Sequence, residues 1–279
     1  MSPHHVAELV RDHGIAVRLE AAPDRVFGDE EYVAAGAEIR THLDDCDIQL
    51  GVKEAALERL APERAHAFFS HLIKGQSQNM SLLRGLVERR CTLLDYEPIV
   101  DARGRRLIFF GRQAGQAGMI DALWAYGRRL KWEGLANPFQ QIRRAQEYDD
   151  LDEARRHIAS VGEGIRRDRL PYNLRPVVVA FAGSGNVSKG AQEVFERLPY
   201  LEVDARDLAG LAEARERPRD VLYKTVLERP QRLRRADGGF DEAEYRHHPE
   251  RYASRMPEHL PHLSILLNGT YWEPGYPHS

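Results

Sequence analysis

Three side chains suited to acid–base chemistry follow three apolar runs in the first hundred residues. They are Lys53 after residues 48–52, His71 after residues 65–70 and Glu97 after residues 92–96. Short apolar runs of this kind predict strands, and parallel strands present their carboxyl ends, where ligands bind, at one edge of a sheet. An ammonium, an imidazole and a carboxylate at one edge could exchange protons with a substrate. Each of these residue types alone is more often an ordinary polar group of the surface or core. The prediction of a site therefore depends on all three lying at the same edge of the sheet.

An arginine pair, Arg105-Arg106, follows Gly104 shortly after the third of these runs. Guanidinium groups bind carboxylates through two parallel hydrogen bonds, so the pair could clamp an acidic substrate. A solvated turn after the glycine is the alternative.

A glycine-rich turn in the second half of the chain follows a run typical of a buried strand. Residues 177–182 are Val-Val-Val-Ala-Phe-Ala, and consecutive β-branched residues favour a parallel strand buried on both faces. A helix is predicted from about Val187 to Arg197. Such a turn brings the backbone and the helix N-terminus to the pyrophosphate of a dinucleotide. The expected cofactor-binding residues are Gly183, Ser184, Gly185, Asn186, Val187 and Ser188. A strand–helix turn without a ligand is the alternative.

The residue that would recognise the ribose of such a cofactor is sought at the end of the next predicted strand, residues 200–203. That strand ends at Asp204, about 20 residues after Gly183, where an acidic residue binds the ribose hydroxyls of NAD. Arg206 follows and could instead meet the 2′-phosphate of NADP, so the choice of cofactor stays open. Asp204 could also cap a helix that begins near Leu208.

The elements that must position these residues indicate an α/β protein, because short apolar runs alternate with helical periodicity. Helices are predicted over 3–12, 78–89, 115–131 and near 150–160, and Asp29 is expected to cap a short helix. We predict two Rossmann-like lobes with parallel sheets and a cleft between them that holds the reaction. The predicted parts are a substrate lobe at 1–130, a polar joint at 131–176 and a dinucleotide-binding lobe at 177–279. Only 96 residues follow Gly183, enough for three or four strands at roughly 30 residues per βαβ unit, so we expect the second lobe to be incomplete.

Composition excludes several other classes of protein. Forty Lys and Arg against 43 Asp and Glu give a net charge of −3, which excludes a strongly basic nucleic-acid binder. Two cysteines are too few for a disulfide scaffold or a Cys-rich zinc module. No apolar run approaches the ~18 residues of a membrane helix, and residues 1–20 lack the core of a signal peptide. Prolines break up the histidines near the C-terminus, so no metal is expected. These features predict a cytoplasmic protein with neither nucleic acid nor membrane as partner.

Several stretches, in order along nearly the whole chain, carry a resemblance to a known family. They are LGVK at 50–53, AFFSHLIK at 67–74, LDYE at 94–97, GRR at 104–106, residues 111–119, GSGNVSKGA at 183–191, HPERY at 248–252 and NGTYW at 268–272. With these residues the chain resembles the lysine-ketoglutarate reductase half of the aminoadipic semialdehyde synthase family. More broadly it is similar to lysine-forming saccharopine dehydrogenase and to the alanine dehydrogenase/transhydrogenase fold.

The resemblance implies a specific oxidoreductase reaction. Members of the family condense the ε-amine of lysine with 2-oxoglutarate and reduce the imine with NADPH, giving saccharopine. The resemblance implies that Lys53 and His71 are the acid–base pair and that Glu97, Arg106 and Lys74 bind substrate. It favours NADPH whereas Asp204 favours NADH, so either cofactor is expected. The implied partners are lysine, 2-oxoglutarate and saccharopine, with a homo-oligomer or a second chain that completes the fold.

Two other functions stay open. Relatives carry an arginine-rich segment before the position that corresponds to Met1, and they continue past Trp272. A chain without those parts could be a non-catalytic or fragmentary relative that binds a dinucleotide or an amino acid. The other alternative is an alanine dehydrogenase-like oxidoreductase, against which the Phe-Phe-Ser-His and Gly-Asn-Val-Ser-Lys stretches argue.

Overall fold

The computed structural model describes residues 1–23, 25–214 and 217–270. The chain divides into two units, Met1–Phe109 and Phe110–Ser279. The long helix that the sequence placed at the end of a substrate lobe lies in the second unit. Tyr271 and Trp272 of the NGTYW stretch fall outside the described residues.

The described residues of the first unit form three α-helices and five strands. They are α1 (Pro3–His13), β1 (Arg18–Glu20), α2 (Asp29–Ala34), β2 (Glu38–Arg40), β3 (Ile48–Lys53), β4 (Ala65–Phe69), α3 (Met80–Glu88) and β5 (Thr92–Asp95). Strands β3, β4 and β5 make a parallel sheet with β4 in the centre. Phe68 of β4 packs on Leu82 and Leu86 of α3. The carboxyl ends of the three strands therefore meet at one edge, as the sequence predicts.

The described residues of the second unit form seven α-helices and six strands. They are α4 (Gly111–Trp132), α5 (Leu151–Asp168), β6 (Val178–Ala182), α6 (Asn186–Phe195), β7 (Tyr200–Glu202), α7 (Leu208–Glu213), β8 (Leu222–Leu227), α8 (Arg229–Arg232), β9 (Leu233–Arg235), α9 (Glu242–His247), β10 (Tyr252–Ser254), α10 (Met256–His259) and β11 (Ile265–Asn268). Four of the strands form a parallel sheet in the order β11-β6-β8-β7. The predicted α/β class with parallel sheets is confirmed.

Strand β6 is buried on both faces of this sheet, as its β-branched run predicts. Val179 and Phe181 enter a core that contains residues of α4, α5 and α6. Val178 and Ala180 enter a second core with Leu208 of α7 on the opposite face. Alternate residues of one strand thus join two helical layers to the sheet.

Strand order is the feature that sequence spacing did not predict. Strand β8, and not β7, lies beside β6. Leu222 to Thr225 of β8 are all buried, whereas Leu201 and Glu202 of the three-residue β7 are exposed. A longer strand with more buried side chains gains more from a central position, and a short, exposed strand is typical of a sheet edge.

Two helices differ in detail from the prediction, α2 at its start and α5 at its end. Asp29 does not cap α2. Gly28 precedes that helix, and its amide donates to the carboxylate of Glu31 at 3.0 Å, which supplies the capping contact. Helix α5 extends to Asp168, well beyond residue 160, and begins at a true cap, because the Asp150 carboxylate accepts from the amide of Glu153 at 2.6 Å.

A carboxylate near the β9–β10 pair makes stability depend on pH. Glu244 accepts hydrogen bonds from Arg251 at 2.9 Å, Arg235 at 2.7 Å and the Tyr252 hydroxyl at 3.0 Å. These contacts lower the pKa of Glu244 from 4.5 to about 2. A carboxylate with a lowered folded-state pKa stabilises the fold above its unfolded pKa, and this contribution is lost as the pH falls through the folded pKa.

We therefore expect the wild-type chain to lose stability between pH 4.5 and about 2, and Glu244→Gln to lose less over the same range. Urea denaturation at several pH values measures the two slopes. Glu133→Gln, which removes a carboxylate held by Arg129 alone among its described neighbours, is the control. Equal slopes for Glu244→Gln and the wild-type chain would refute the assignment.

Candidate functional site

The side chain of Glu97 lies among three basic side chains at the carboxyl edge of the first unit's sheet. It is 13% exposed. One carboxylate oxygen, Oε2, is 3.3 Å from Nδ1 of His71, and the other, Oε1, is 3.5 Å from Nζ of Lys74 and 3.4 Å from Nη1 of Arg106. We call these four residues the Glu97 cluster. With one carboxylate, one ammonium and one guanidinium, the cluster carries net positive charge and can accept an anionic group.

The distances in the Glu97 cluster also bear on substrate binding. Charge-assisted hydrogen bonds are ordinarily about 2.7–2.9 Å long, whereas these contacts are 3.3–3.5 Å. Glu97 therefore positions the basic groups but does not use all of their hydrogen-bonding capacity. His71, Lys74 and Arg106 are 38–45% exposed, so a dissolved carboxylate can reach them.

Asp95 fixes the backbone that carries this cluster. Its Oδ1 accepts from the amide of Glu97 at 2.9 Å, and its Oδ2 accepts from the hydroxyl of Ser70 at 2.6 Å. Ser70 is buried. This bridge ties the end of β4 to the end of β5 and so sets the spacing between His71 and Glu97. Sequence reasoning did not assign a role to Asp95 or Ser70. Ser70 immediately precedes His71, and Asp95 lies two residues before Glu97, so their positions at strand ends were the available signal.

His71 has an unusual backbone conformation, with φ of 55° in the left-handed region. For a residue other than glycine this conformation costs about 1–3 kcal/mol and often marks functional sites. It places the imidazole beside Phe69, with the ring planes 17° apart, and turns Nδ1 toward Glu97 and Lys74. Within the described residues Nε2 has no hydrogen-bond partner, so it is available to a substrate.

Lys53 lies at the neighbouring strand end but outside the Glu97 cluster. In the β3–β4 ladder it pairs with Phe69, whose ring contacts His71 and lies under the guanidinium of Arg106 at 5.9 Å. Its side chain is exposed, and no described residue holds its ammonium group in an ion pair or hydrogen bond. The structure thus brings His71, Lys74, Glu97 and Arg106 together and leaves Lys53 next to them with a free ammonium.

The two neighbouring arginines have different roles. Nε of Arg105 donates to the Asp101 carboxylate at 2.7 Å, and the Arg105 amide donates to the same side chain at 2.9 Å. Arg105 therefore stabilises the turn after Asp101. Only Arg106 reaches Glu97, so the expected two-arginine clamp is reduced to one guanidinium.

The glycine turn of the second unit has the features that a pyrophosphate requires. Gly183 has φ of 88°, which favours glycine, and Ser184, Gly185 and Asn186 are exposed. Helix α6 begins at Asn186 without a side-chain cap, so its first amides are open. A Cβ built on Gly185 would meet no atom within 4 Å, which leaves space in front of the helix. The residues present therefore fit a dinucleotide phosphate.

Ser188 packs beneath this turn. It is fully buried, and its hydroxyl accepts from Nε2 of Gln192 at 3.0 Å. A Cβ added to Gly269 would lie 3.1 Å from the Ser188 amide nitrogen. Ser188, expected from the sequence to bind the cofactor, is thus packed under the turn and not exposed to a ligand, whereas Ser184, Gly185 and Asn186 are exposed.

Two glycines bring α4 and α6 into backbone contact. A Cβ on Gly115 would lie 1.9 Å from the carbonyl oxygen of Val187, and one on Gly190 would lie 2.0 Å from that of Arg112. Residues 111–119, quoted above for the family resemblance, therefore support the start of α6 from within the second unit. This contact holds the N-terminus of α6 in place.

Asp204 and Arg206 are not placed beside the glycine turn. Asp204 follows the edge strand β7, which β8 separates from β6. Neighbouring strands are about 4.8 Å apart, so Asp204 lies roughly two strand spacings from β6. Both oxygens of its carboxylate already accept hydrogen bonds from Arg206, from Nε at 3.0 Å and from Nη2 at 3.1 Å. These side-chain hydrogen bonds and one from the Arg206 amide lower the pKa of Asp204 to about 2.

The histidines near the C-terminus make local contacts. Nε2 of the buried His259 lies 2.8 Å from the carbonyl of Gln231, and Nδ1 of His247 lies 2.8 Å from that of Ala243. Across residues 1–23, 25–214 and 217–270, no group of three or more His, Cys, Asp or Glu is arranged to hold a metal ion. In the same residues no helix is both long and apolar enough to cross a membrane.

Comparison with known proteins places these features in context. Residues 1–117 match the family model of the alanine dehydrogenase/PNT N-terminal domain. The chain is 37% identical to the mitochondrial α-aminoadipic semialdehyde synthase of Rattus norvegicus over 99% of its own length and 30% of the relative's. It is also 37% identical to the α-aminoadipic semialdehyde synthase of Arabidopsis thaliana, over 99% of this chain and 28% of that one.

More distant relatives are similar over less of the chain. A saccharopine dehydrogenase (NAD(+), L-lysine-forming) of Neurospora crassa is 29% identical over 71% of this chain and 52% of its own length. A solved L-alanine dehydrogenase superposes with a TM-score of 0.49 at 20% identity, over 80% of this chain and 56% of that one. The chain spans less than a third of the synthases it matches. The family model and the synthase matches confirm the resemblance found in the sequence: residues 1–117 match the alanine dehydrogenase/PNT N-terminal domain, and the chain is similar to the aminoadipic semialdehyde synthases along nearly its whole length.

Proposed function

We propose that this chain carries the substrate and dinucleotide sites of an oxidoreductase of lysine metabolism. The reaction is the reductive condensation of lysine with 2-oxoglutarate to saccharopine, or its reverse, with a nicotinamide cofactor. The observation that carries the proposal is the Glu97 cluster, in which one carboxylate holds three basic groups at a sheet edge. The names of the relatives support the proposed substrates, since one is a lysine-forming saccharopine dehydrogenase and others are aminoadipic semialdehyde synthases.

The charges of the cluster suit the proposed substrates. 2-Oxoglutarate has two carboxylates and lysine has one, so the site needs surplus cations. Arg106 and Lys74 share the single carboxylate of Glu97 at 3.4 Å and 3.5 Å. Arg106 can bind a carboxylate through two parallel hydrogen bonds, and Lys74 can bind one as a point charge.

The proton transfers fall to His71 and Lys53. When the lysine amine attacks the oxo carbon, the oxygen must gain two protons to leave as water, one from the attacking nitrogen and one from an acid. Nε2 of His71 is free to accept the proton of the nitrogen and pass it to the oxygen, and the exposed ammonium of Lys53 can donate the second, which leaves an iminium ion. Glu97 orients the imidazole through Nδ1.

The glycine turn of the second unit serves the cofactor in this proposal. The open amides at the start of α6, together with Gly183 to Asn186, bind the pyrophosphate. When bound, the nicotinamide supplies the hydride that reduces the imine carbon. Gly115 and Gly190 hold α6 in the position that this binding requires.

Substitution of the two proton-transfer residues tests the proposal. We expect Lys53→Met and His71→Asn each to reduce saccharopine turnover by about 100-fold or more, the usual contribution of a positioned acid or base. Saccharopine is measured by mass spectrometry with saturating lysine, 2-oxoglutarate and reduced cofactor. Lys131→Met, at an exposed lysine of α4, is the matched control. Wild-type turnover in both site variants would overturn the acid–base assignment.

The same assay separates this reaction from alanine dehydrogenase chemistry. Pyruvate has one carboxylate, so it leaves a cation of the Glu97 cluster unpaired, and we expect 2-oxoglutarate to be the better oxo acid. Faster turnover of alanine or pyruvate than of the lysine substrates would replace the proposed reaction with the alanine dehydrogenase type. Cofactor binding without turnover of any pair would identify a binding protein.

A further inference from the structure

The end of β8 lies on one side of the glycine turn, and the residues after β11 lie on the other. The amide of Gly183 donates to the carbonyl of Leu227 at 2.9 Å, which continues the β6–β8 ladder into the turn. Glu228 is the next residue after Leu227. It therefore lies at the carboxyl end of one of the two strands that flank β6. The other, β11, ends at Asn268 and is followed by Gly269, so it offers no carboxylate. A dinucleotide fold recognises the adenosine ribose with an acidic residue at the end of a strand next to the one that enters the glycine turn.

The carboxylate of Glu228 is available to a ligand. Glu228 is exposed and precedes α8, but its side chain makes no capping hydrogen bond. Among the described residues its carboxylate has neither a hydrogen-bond nor an ion-pair partner. Asp204 differs in both respects, since it follows the edge strand and its two oxygens are bonded to Arg206.

The arginines that follow Glu228 are already engaged. Arg229 forms an ion pair with Glu242 and lies over the ring of Tyr245 at 5.7 Å. Arg232 is buried, and its Nε donates to the carbonyl of Leu227 at 3.0 Å. A 2′-phosphate at this position would thus meet a free carboxylate and no uncommitted arginine of α8.

We propose that Glu228 is the residue that recognises the cofactor ribose in this chain and that it selects NAD(H) over NADP(H). The inference rests on the proposed dinucleotide site. The Glu228 carboxylate accepts hydrogen bonds from the 2′- and 3′-hydroxyls of the ribose. A 2′-phosphate carries a charge of about −1.5 to −2 at neutral pH, and its repulsion by Glu228 weakens NADPH binding.

Equilibrium binding tests this assignment without recourse to turnover. NADH and NADPH are titrated into the full 279-residue chain and followed by nicotinamide fluorescence. We expect NADH to bind about tenfold or more tightly than NADPH to the wild-type chain, the effect of one hydrogen-bonded charge. Glu228→Gln, which removes the charge and little volume, should reduce that preference to about threefold or less. Asp204→Asn removes the rival carboxylate and should leave the preference within about twofold of the wild-type value, and thermal unfolding checks that both variants are folded.

The outcomes separate this inference from the proposed function. A wild-type preference for NADPH, or an unchanged preference in Glu228→Gln, overturns the role of Glu228 and leaves the dinucleotide site standing. A loss of preference in Asp204→Asn alone returns ribose recognition to Asp204. If the wild-type chain binds neither cofactor, both the dinucleotide site and this inference are overturned.

Discussion

Glu97→Gln is expected to reduce turnover of the proposed substrates by about 100-fold or more while NADH binding is unchanged. The carboxylate is 13% exposed and faces three basic groups within 3.5 Å. Glutamine has nearly the same shape but no charge, so Lys74 and Arg106 would repel each other without compensation, and Nδ1 of His71 would lose its carboxylate partner. Displacement of catalytic groups by about 1 Å is enough to cost about 100-fold in rate.

Steady-state turnover and NADH titration together measure this effect. Glu88→Gln, at an exposed carboxylate near the end of α3 in the same unit, is the control and should keep wild-type turnover. Urea denaturation shows whether the Glu97 variant is folded under assay conditions. Full activity in a folded Glu97→Gln variant would mean that the Glu97 cluster is not the reaction site.

Gly190→Ala is expected to destabilise the second unit by about 2 kcal/mol or more. Alanine ordinarily favours a helix over glycine by about 1 kcal/mol. Here the added Cβ would lie 2.0 Å from the carbonyl oxygen of Arg112, so α4 and α6 must move apart. Overpacking of this kind costs about 1–3 kcal/mol and occasionally more, and the contact with backbone leaves no side chain that could rotate away.

Gly164→Ala is the matched control for this prediction. Gly164 also lies within a helix, α5, but a Cβ there meets no atom within 4 Å. Its substitution should therefore stabilise by up to about 1 kcal/mol. Tryptophan fluorescence during urea denaturation reports on this unit, because Trp124 and Trp132 belong to α4. Equal stability of the two alanine variants would contradict the close packing of α4 on α6.

Local patterns in the sequence predicted most of the elements but not their neighbours in space. The β-branched run before Gly183 predicted a strand buried on both faces. Successive side chains of a strand point to opposite faces, so a run of consecutive apolar residues makes both faces apolar. Nothing local distinguished β7 from β8 as the partner of β6. The choice follows from the burial of Leu222 to Thr225, which only the complete sheet determines. Spacing therefore pointed to Asp204, which follows the edge strand β7, and did not single out Glu228, which follows the strand beside β6.

The candidate site was partly predictable for a similar reason. Strand ends indicated His71 and Glu97 because parallel strands share one carboxyl edge. The bridge from Asp95 to Ser70 depends on the register between β4 and β5, which periodicity does not specify. The packing roles of Gly115 and Gly190 could not be predicted either, because nothing in the local sequence distinguishes a helical glycine that contacts another backbone from one that faces solvent.

Transfer of an isotopic label tests the central claim most directly. The chain is incubated with lysine, 2-oxoglutarate and NADH that is deuterated at both hydrogens of nicotinamide C4, and the product is analysed by mass spectrometry. The account predicts saccharopine that carries a single deuterium on the former oxo carbon, with the amount falling about 100-fold in His71→Asn. Absence of labelled saccharopine with either deuterated NADH or deuterated NADPH would contradict it.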